Sequence, residues 1–321
     1  MAELEIIDCA ERLREFEPEW LQLSQAVTPA TPFQTPHWLL TWWSHFGSGA
    51  LQTFVFRNGG ALIGVVPCFL HEWNGNRQLT LLGSGVSDYL DPQLDPGHVP
   101  EILALLHAHL KTRRDWDIGD WQDLSENTPL QQLGTTRGDT PCSAISLAGS
   151  FEEFLARRPK DLRRNLRRYK EKAEAIAPVT FEVTKTADPD LINALIDLHR
   201  ARWNQTGECG MIDSNRAEPF VRDIAPSFAR LGSLRIFTVR FQGSVAAIVL
   251  ALCDGTSIFS WLSAFDPATE MYGFGRELLA QALGYGYRHG YKSWHFLRGD
   301  EPYKFSWGAQ AIPKCRVIIR P

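Results

Sequence analysis

The fold is decided by residues 234–297, which read LRIFTVRFQGSVAAIVLALCDGTSIFSWLSAFDPATEMYGFGRELLAQALGYGYRHGYKSWHFL. Three runs rich in β-branched, aromatic and other apolar residues, at 234–241, 245–253 and 257–265, predict three strands. Gln242-Gly243 and Asp254-Gly255 separate these runs, and Asp-Gly between two apolar runs is a strong hairpin signal. The segment therefore predicts an antiparallel meander, followed by a glycine-containing turn, a helix and another strand.

The rest of the second half continues this pattern. The helix after the glycine turn is expected to end near His289, with Gly290 as its C-cap. Strands are expected at Tyr291–Leu297 and near Arg316–Ile319. Ahead of the meander, Asp188-Pro189 combines a capping carboxylate with a proline at the first helical position, so a helix begins there. The predicted order is a helix, three strands, a glycine turn, a helix and further strands.

The first half shows a similar order of elements. We predict helices at 35–46, 100–111 and 128–133, and strands at 51–57, 61–69, 78–82, 116–121 and 142–147. Because the order repeats without clear residue identity, we expect a structural duplication with a boundary near Gly149-Ser150. The expected fold class is α/β with a mixed sheet, in two similar halves at 1–149 and 150–321. Chance similarity between two α/β patterns is the alternative.

The composition is that of a globular protein. The chain has 321 residues, of which 44% are hydrophobic and 22% charged, and its net charge is −4. This charge gives the whole chain no attraction to nucleic acid or to an anionic membrane. The N-terminal residues lack the charged and apolar regions of a signal peptide, and no run approaches the ~20 apolar residues of a membrane span. We therefore expect a cytoplasmic protein.

Cysteine, histidine and tryptophan residues do not form any cofactor motif. The six cysteines include no CxxC pair, so neither a zinc ribbon nor a disulfide framework is predicted, and reduced, mostly buried thiols are expected. The histidines form no HExxH motif, so no metal site is expected, and neither a GxSxG motif nor a P-loop occurs. Of the eleven tryptophans, most are expected in the core, although some would suit a substrate groove.

The turn Gly273-Phe274-Gly275-Arg276 predicts an anion site. It follows a strand and opens onto a helix, whose first N–H groups have no acceptor within the helix and lie at the positive end of its dipole. Glycine lets an anion approach the backbone, and Arg276 adds a cation. Phosphate or pyrophosphate binding is expected here, and an ordinary strand-to-helix turn is the alternative.

Together these features resemble a known family. The order of elements with this turn resembles the GNAT superfamily of acyl-CoA transferases. Segments 265–267, 273–279, 290–297 and 299–307 resemble in particular the cellulose-biosynthesis-type GNAT family, which is related to the Fem-type peptidoglycan transferases. The resemblance covers residues 150–310 well and the first half more loosely. It implies an acyl-CoA co-substrate whose pyrophosphate is held by Tyr272, Gly273, Phe274, Gly275 and Arg276. Glu270 departs from the superfamily's pattern, which has Gln or Arg at that spacing from Gly273.

One basic segment stands out in this acidic chain. It contains Arg157, Arg158, Lys160, Arg163, Arg164, Arg167, Arg168, Lys170 and Lys172. Leu162, Leu166, Tyr169 and Ala173 recur at helical spacing, so an amphipathic helix with a basic outer face is predicted. A similar Arg-rich helix marks the family. We expect Arg163, Arg164 and Arg167 to contact a bound anion, which is coenzyme A, an acidic glycan or lipid acceptor, or RNA. A solvated surface helix is the alternative.

The polar segment after the strand at 291–297 carries the candidate catalytic groups. Arg298, Asp300, Glu301, Tyr303 and Lys304 follow a strand end, which is where ligands bind in α/β sheets. Acylation of an amine needs a base for the ammonium proton and an acid for the departing thiolate. We expect Glu301 to be the base, because its side chain is longer, and Tyr303 to be the acid. Asp300 is expected to hold Arg298 or Lys304, which are also candidate substrate contacts. A surface loop with a salt bridge is the alternative.

Three further residues are candidate acceptor contacts. Asp88 and Tyr89 lie in a segment that resembles a family region facing the acceptor, and a loop with an Asx turn is the alternative. Trp203 lies with His199 and Arg202 on the helix that begins at Pro189, from which it would line a cleft. A partly buried histidine with an ordinary hydrogen bond is the alternative for His199.

The residues and the resemblance together predict an acyl-CoA-dependent N-acyltransferase, whose catalytic site is built mainly by the second half. The expected acceptor is a small or glycan amine, such as an amino sugar or another polysaccharide precursor. The alternative enzyme is a Fem-type transferase that uses aminoacyl-tRNA. The basic helix suits that enzyme, and the lack of a long heptad insertion counts against it. A non-catalytic RNA- or partner-binding protein on the same fold is the third hypothesis.

Overall fold

The computed structural model describes residues 1–27, 31–206, 212 and 215–321. These residues form two compact units, one of residues 1–141 with 313–321 and one of residues 142–312. The division therefore falls ahead of the predicted boundary at Gly149-Ser150, and the C-terminal strand belongs to the first unit. Cys209 lies outside the described residues, and the five other cysteines are free thiols.

The first unit is built around one sheet. Its helices are α1 (Ala10–Glu15), α2 (Glu17–Ala26), α3 (Pro36–Phe46) and α4 (Val99–Thr112), with short 3₁₀ helices at Pro32–Gln34 and Pro129–Leu133. Its strands are β1 (Ala2–Ile7), β2 (Ala50–Asn58), β3 (Ala61–Trp73), β4 (Asn76–Leu81), β5 (Gln93–Leu94), β6 (Ile118–Ser125) and the start of β7 (Thr135–Ser146). The strands β1 to β4 form an antiparallel meander, and β6 is parallel to β4. β13 (Gln310–Ile319) pairs antiparallel with β6.

The second unit repeats this plan. Its helices are α5 (Phe151–Ala156), α6 (Lys160–Glu174), α7 (Pro189–Thr206), α8 (Ala217–Arg230), α9 (Phe274–Arg288) and α10 (Pro302–Ser306), with a 3₁₀ helix at Pro267–Tyr272. Its strands are β8 (Val179–Thr184), β9 (Leu234–Phe241), β10 (Ser244–Cys253), β11 (Ser257–Phe265) and β12 (Ser293–Arg298). The strands β8 to β11 form an antiparallel meander, and β12 is parallel to β11. The end of β7 pairs antiparallel with β12.

The strands of the two units therefore share one order, which confirms the predicted α/β fold with two similar halves. The strand that lies beside the parallel pair comes from a different part of the chain in each unit. In the first unit it is β13, from the end of the chain, and in the second it is β7, from the middle. This exchange explains why a single cut of the chain near residue 149 does not separate the two units.

The predicted meander at 234–265 is present with its boundaries nearly unchanged. The sequence analysis missed the strands β1, β5 and β8 and the helices α1, α2, α5 and α8. β8 is short, and its residues alternate between half-buried and exposed positions, so the apolar signal is weak. α8 contains Pro226 inside the helix, a residue that normally argues against a helix. Nonetheless α8 has a long buried face, which compensates for the hydrogen bond that proline cannot donate.

Aromatic residues fill the core of the second unit. Trp294 of β12 is fully buried, and its ring centroid lies 5.7 Å from that of Phe237 on β9. Tyr285 of α9 meets Phe237 edge-on at 5.3 Å. Across the described chain, eight of the eleven tryptophans are buried, so the expectation that most belong to the core is confirmed. No described helix is both long and apolar enough to cross a bilayer.

His295 of β12 supplies a pH-dependent contribution to stability. Burial lowers the pKa of this histidine from 6.5 to about 4. Because the unfolded chain takes up a proton near pH 6.5 and the folded chain only near pH 4, stability falls as pH drops between these values. The loss is at most about 3 kcal/mol at pH 4. We expect His295→Phe to lose less stability than the wild type between pH 7 and pH 4.5, as measured by denaturant unfolding.

Phenylalanine is the matched replacement, because the imidazole stacks on Phe259 at 4.5 Å. Burial also lowers the pKa of His71 and His109, but both histidines are retained in the variant and cancel in the comparison. If the free energy of unfolding fell equally with pH in the two proteins, His295 would not be the source of the pH dependence.

Candidate functional site

The parallel strands of the second unit separate after a short paired stretch. β11 and β12 pair only at Ser257–Phe259 and Ser293–His295. β11 continues to Phe265 and β12 to Arg298, each still paired to its other neighbour. Backbone N–H and C=O groups that face such a gap have no strand partner. The gap is therefore a natural place for a ligand that carries amide groups.

The predicted glycine turn lies directly after β11. Asp266 caps the 3₁₀ helix at Pro267–Tyr272 by accepting a hydrogen bond from the amide of Ala268 at 2.9 Å. Gly273 ends that helix and begins α9 in the left-handed conformation, with φ of 62°. Phe274 is buried and anchors the turn, while Gly275 and Arg276 are exposed. The first N–H groups of α9 lie at the positive end of its dipole, on the exposed side of the turn.

The basic helix packs beside this turn. A Cβ at position 273 would lie 2.9 Å from Cδ2 of Tyr169, so glycine is needed here for close packing with α6 as well as for its backbone conformation. The guanidinium carbons of Arg168 and Arg276 lie 4.9 and 5.8 Å from the centroid of the Tyr169 ring. Nζ of Lys172 lies 5.2 Å from the centroid of Tyr272. Three cations therefore surround the turn.

The arginines predicted to bind an anion occupy other positions on α6. Arg164 pairs with Asp161 at 2.8 Å, and Arg167 approaches Glu171 at 3.7 Å. Arg163 donates to the carbonyl oxygen of Arg158 at 3.2 Å. All three side chains are exposed along the helix, whereas Arg168 and Lys172 contact the rings beside the glycine turn. The sequence predicted the basic face, but the packing of α6 selects which of its cations reach the turn.

A buried ammonium organises the segment after β12. Lys304 is 2% exposed, and its Nζ donates to the carbonyl oxygens of Arg298 at 2.6 Å and Gly299 at 3.3 Å. Glu301 completes the cluster, with Oε2 2.8 Å from Nζ. Leu297 adopts a left-handed φ of 64° beside a bulge in β12, which turns these carbonyls toward the ammonium.

These contacts reassign two predicted roles. Glu301, not Asp300, holds Lys304, so the expectation that Asp300 would do so is wrong for that lysine. Asp300 is exposed and makes no hydrogen bond or ion pair with another described residue. Lys304 was a candidate substrate contact, and its buried ammonium instead favours a structural role. Arg298 lies half-buried at the end of β12.

Tyr303 lies beside this loop at the start of α10. Its ring is half exposed and meets Phe296 edge-on at 6.0 Å. Loss of water around the hydroxyl, together with the charge of Glu301, raises the pKa of Tyr303 to about 12, although the charge of Arg202 opposes this. The phenol therefore stays protonated at neutral pH and remains a hydrogen-bond donor.

The helix α7 contributes Trp203, which is positioned by a histidine. Nε1 of Trp203 donates to Nε2 of His199 at 3.0 Å, and His199 is buried. Because Nε2 accepts this bond, the neutral histidine carries its proton on Nδ1. α7 packs against β10 and β11. Its last turns are therefore close to the end of β11, where the gap opens.

The corresponding helix of the first unit starts differently. α4 begins with Val99 and Pro100, of which the proline has no N–H, and Glu101 in its first turn repels anions. The gap between β4 and β6 is occupied by the unit's own chain, since the amide of Leu90 donates to the carbonyl of Asp123 at 3.0 Å and Asp91 accepts from the amide of Ser125. The start of α4 is therefore less suited to an anion than the start of α9.

Asp88 and Tyr89, the predicted acceptor contacts, are buried within the first unit. The Tyr89 ring lies 6.3 Å from Phe33, and Nζ of Lys314 lies 4.2 Å from its centroid. Lys314 is itself buried. No group of histidine, cysteine or acidic residues suited to a metal ion occurs among the residues described by the structure.

Comparison with known proteins identifies the same region. Residues 160–305 match the family model described as an acetyltransferase (GNAT) domain. A search of curated proteins by sequence found no significant match.

Several solved structures share the fold. A crystal structure of FemX is 11% identical, with a TM-score of 0.67, and the match covers 99% of this chain and 97% of that one. The C-terminal domain of a putative lysylphosphatidylglycerol synthetase from Agrobacterium fabrum is 13% identical, with a TM-score of 0.61, and the match covers 95% of this chain and 93% of that one. A tandem GNAT protein from the clavulanic acid biosynthesis pathway is 14% identical, with a TM-score of 0.54, and the match covers 99% of this chain and 98% of that one.

These likenesses are all below 25% identity and therefore concern the fold. The family match covers α6 to α10, which includes the parting strands, the glycine turn and the segment after β12. The strand order repeats in the first unit, as two tandem GNAT-like halves require. Residues 160–305 thus match an acetyltransferase (GNAT) domain, and the fold of the whole chain is similar to that of FemX and of the tandem GNAT protein.

Proposed function

We propose that the protein is an acyl-CoA-dependent N-acyltransferase whose donor site belongs to the second unit. One observation carries this proposal. The pairing between β11 and β12 ends early, and an exposed glycine turn lies beside the resulting gap at the start of α9. The corresponding helix of the first unit instead begins with Val99, Pro100 and Glu101, and Leu90 and Asp91 bond to the strand β6 beside the gap between its parallel strands. We propose an acceptor amine on an amino sugar or another polysaccharide precursor, and a cytoplasmic location.

The turn and its cations suit the charged end of the donor. Pyrophosphate carries negative charge, which the N–H groups at Phe274 and Gly275 and the side chains of Arg168, Lys172 and Arg276 would neutralise. The amide groups of pantetheine would then pair with the open backbone of β11 and β12, as an added strand would. In this placement the thioester lies near the ends of both strands, close to Tyr303.

The chemistry needs two proton movements. The acceptor nitrogen must lose a proton before its lone pair attacks the thioester carbon, and the sulfur must gain one as the C–S bond breaks. Tyr303 is a candidate for the second role, because its phenol is protonated at neutral pH and follows the end of β12. Asp300 now suits the first role better than Glu301, whose carboxylate is paired with Lys304.

Replacing Gly275 by tryptophan should weaken coenzyme A binding at least about tenfold, because the indole would cover the N–H groups of the turn. Gly275→Ala is the matched control, since a Cβ there lies at an ordinary 3.5 Å from Cδ1 of Phe265. Calorimetric titration of the three proteins with coenzyme A makes the comparison. If wild type and Gly275→Trp bind equally while folded, the turn is not part of the site. Lack of binding by the wild type would remove the acyl-CoA proposal.

The catalytic proposal predicts different outcomes for neighbouring residues. Asp300→Asn and Tyr303→Phe should lower kcat by about 10²–10⁴-fold, while coenzyme A affinity and Tm stay unchanged. Glu301→Gln should instead lower stability by about 1 kcal/mol, because it weakens the contact to the buried Lys304 ammonium. The control is Asp197→Asn, which removes an exposed carboxylate from α7. Near-normal turnover by both Asp300→Asn and Tyr303→Phe would place the proton path elsewhere.

A Fem-type reaction with aminoacyl-tRNA is the second candidate. The row of exposed cations along α6 favours it, since Arg163, Arg164 and Arg167 are exposed and would suit a long polyanion. In the acyl-CoA proposal, by contrast, the charged end of the donor lies at Arg168, Lys172 and Arg276.

Two sets of variants separate the donors. Arg168→Gln with Lys172→Gln should weaken coenzyme A binding, whereas Arg163→Gln, Arg164→Gln and Arg167→Gln together should not. Both sets should weaken binding of tRNA, with a reduced dependence on salt. Filter binding of tRNA and calorimetry with coenzyme A, each at two salt concentrations, provide the comparison. Tight binding of tRNA without any binding of coenzyme A would place the Fem-type reaction first.

A further inference from the structure

Arg202 is held between aromatic rings near the end of α7. Its guanidinium carbon lies 4.9 Å from the ring centroid of Phe265 and 5.8 Å from that of Trp203. The Trp203 ring is itself fixed by its hydrogen bond to His199. Aromatic faces attract a guanidinium and restrict its orientation. The side chain is therefore preorganised, and its N–H groups do not need to be ordered when a ligand arrives.

Within the described parts of the chain, this arginine is not paired with a carboxylate. Among the residues that the structure describes, no carboxylate lies within ion-pair distance of Arg202. Its helix neighbour Arg200 does pair with Glu218, as does Arg222. Arg202 is also only partly exposed, so its charge is held in a less hydrated place without a compensating anion. Such an arrangement costs free energy that a bound anion would recover.

Arg202 lies at the open end of the gap. Phe265, on which the guanidinium rests, is the last residue of β11. Tyr303 follows the end of β12, and its hydroxyl is near enough to Arg202 for the cation to oppose the rise of the tyrosine pKa. The arginine therefore faces the place where the two strands are farthest from their paired stretch.

We propose that Arg202 binds an anionic group, a carboxylate or a phosphate, carried by the acceptor amine. This inference rests on the proposed acyltransferase function. In that function the phosphates of the donor lie at the glycine turn and its thioester end is uncharged, so an anion at Arg202 must belong to the acceptor. The planar guanidinium fork matches both carboxylate and phosphate oxygens.

The position of this charge also helps the reaction. A fixed cation close to the acceptor nitrogen disfavours its ammonium form, and therefore makes the neutral nucleophile easier to produce. An acceptor without an anion would feel only this repulsion and would bind weakly. Arg202 would thus select acceptors by charge and promote loss of the proton from the amine.

The test uses amines that differ in one anionic group. Glucosamine, muramic acid and glucosamine 6-phosphate share an amino sugar ring and carry no anion, a carboxylate and a phosphate, respectively. L-lysine and cadaverine form a second pair that differs in one carboxylate. Binding of each amine is measured by calorimetry with and without coenzyme A, on wild type, Arg202→Gln, Arg202→Lys and the control Arg200→Gln.

We expect the wild type to bind at least one anionic amine about tenfold or more tightly than its neutral counterpart. Whether muramic acid or the sugar phosphate is preferred identifies the anion. Arg202→Gln should abolish the preference, Arg202→Lys should keep part of it because the charge remains without the fork, and Arg200→Gln should leave it unchanged.

The proposal is overturned if the wild type binds the members of both sets equally, if it binds no anionic amine, or if the preference survives in Arg202→Gln. Coenzyme A binding and acyl transfer are measured on the same samples. A protein that keeps the Arg202-dependent preference but binds no coenzyme A would refute the acyl-CoA proposal and leave the anion site in place.

Discussion

The early separation of β11 and β12 is the constraint on which the candidate site depends. Parallel strands that stayed paired would satisfy each other's backbone groups and leave no room for a ligand. Here pairing stops at Phe259 and His295, and the two strands then follow their outer neighbours. The bulge near Leu297 and the ammonium of Lys304 hold the end of β12 in its turned course. The opening is therefore built into the sheet.

Repetition of the fold makes the difference between the units informative. Both units contain a meander followed by a parallel pair of strands and a helix. In the first unit a proline and a glutamate begin that helix, and a loop occupies the gap. In the second unit glycines begin the helix, and cations from α6 gather around the turn. The same backbone plan thus begins its helix with features that suit an anion in the second unit, and with a proline and a glutamate in the first.

Charge is distributed unevenly around this site. The cations at the glycine turn surround Tyr169 and Tyr272, and the hydrogen bond from Arg168 lowers the pKa of Tyr169. Lys304 is fully occupied by carbonyl oxygens and Glu301. Arg202 rests on aromatic rings without an acidic partner among the described residues. In our proposals, the cations at the glycine turn therefore bind the donor, Lys304 stabilises the loop after β12, and Arg202 selects the acceptor.

The sequence by itself determined the meander at 234–265 and the helix and strand that follow it, because apolar runs of strand length and Asp-Gly turns act locally. It also placed the glycine turn at the start of α9, since glycine there is required by local backbone conformation. The sequence did not reveal the exchange of β7 and β13 between the sheets, because strand pairing over such separations leaves no local pattern.

Roles within the charged segments were decided only by tertiary structure. Adjacent Asp300 and Glu301 are chemically alike, and only the buried position of Lys304 shows which one it engages. Nine basic residues on one segment are equivalent by composition, until the packing of Tyr169 on Gly273 brings Arg168 and Lys172 to the turn. Composition and spacing determine which elements form. Contacts between elements distant in sequence determine which of their side chains share a site.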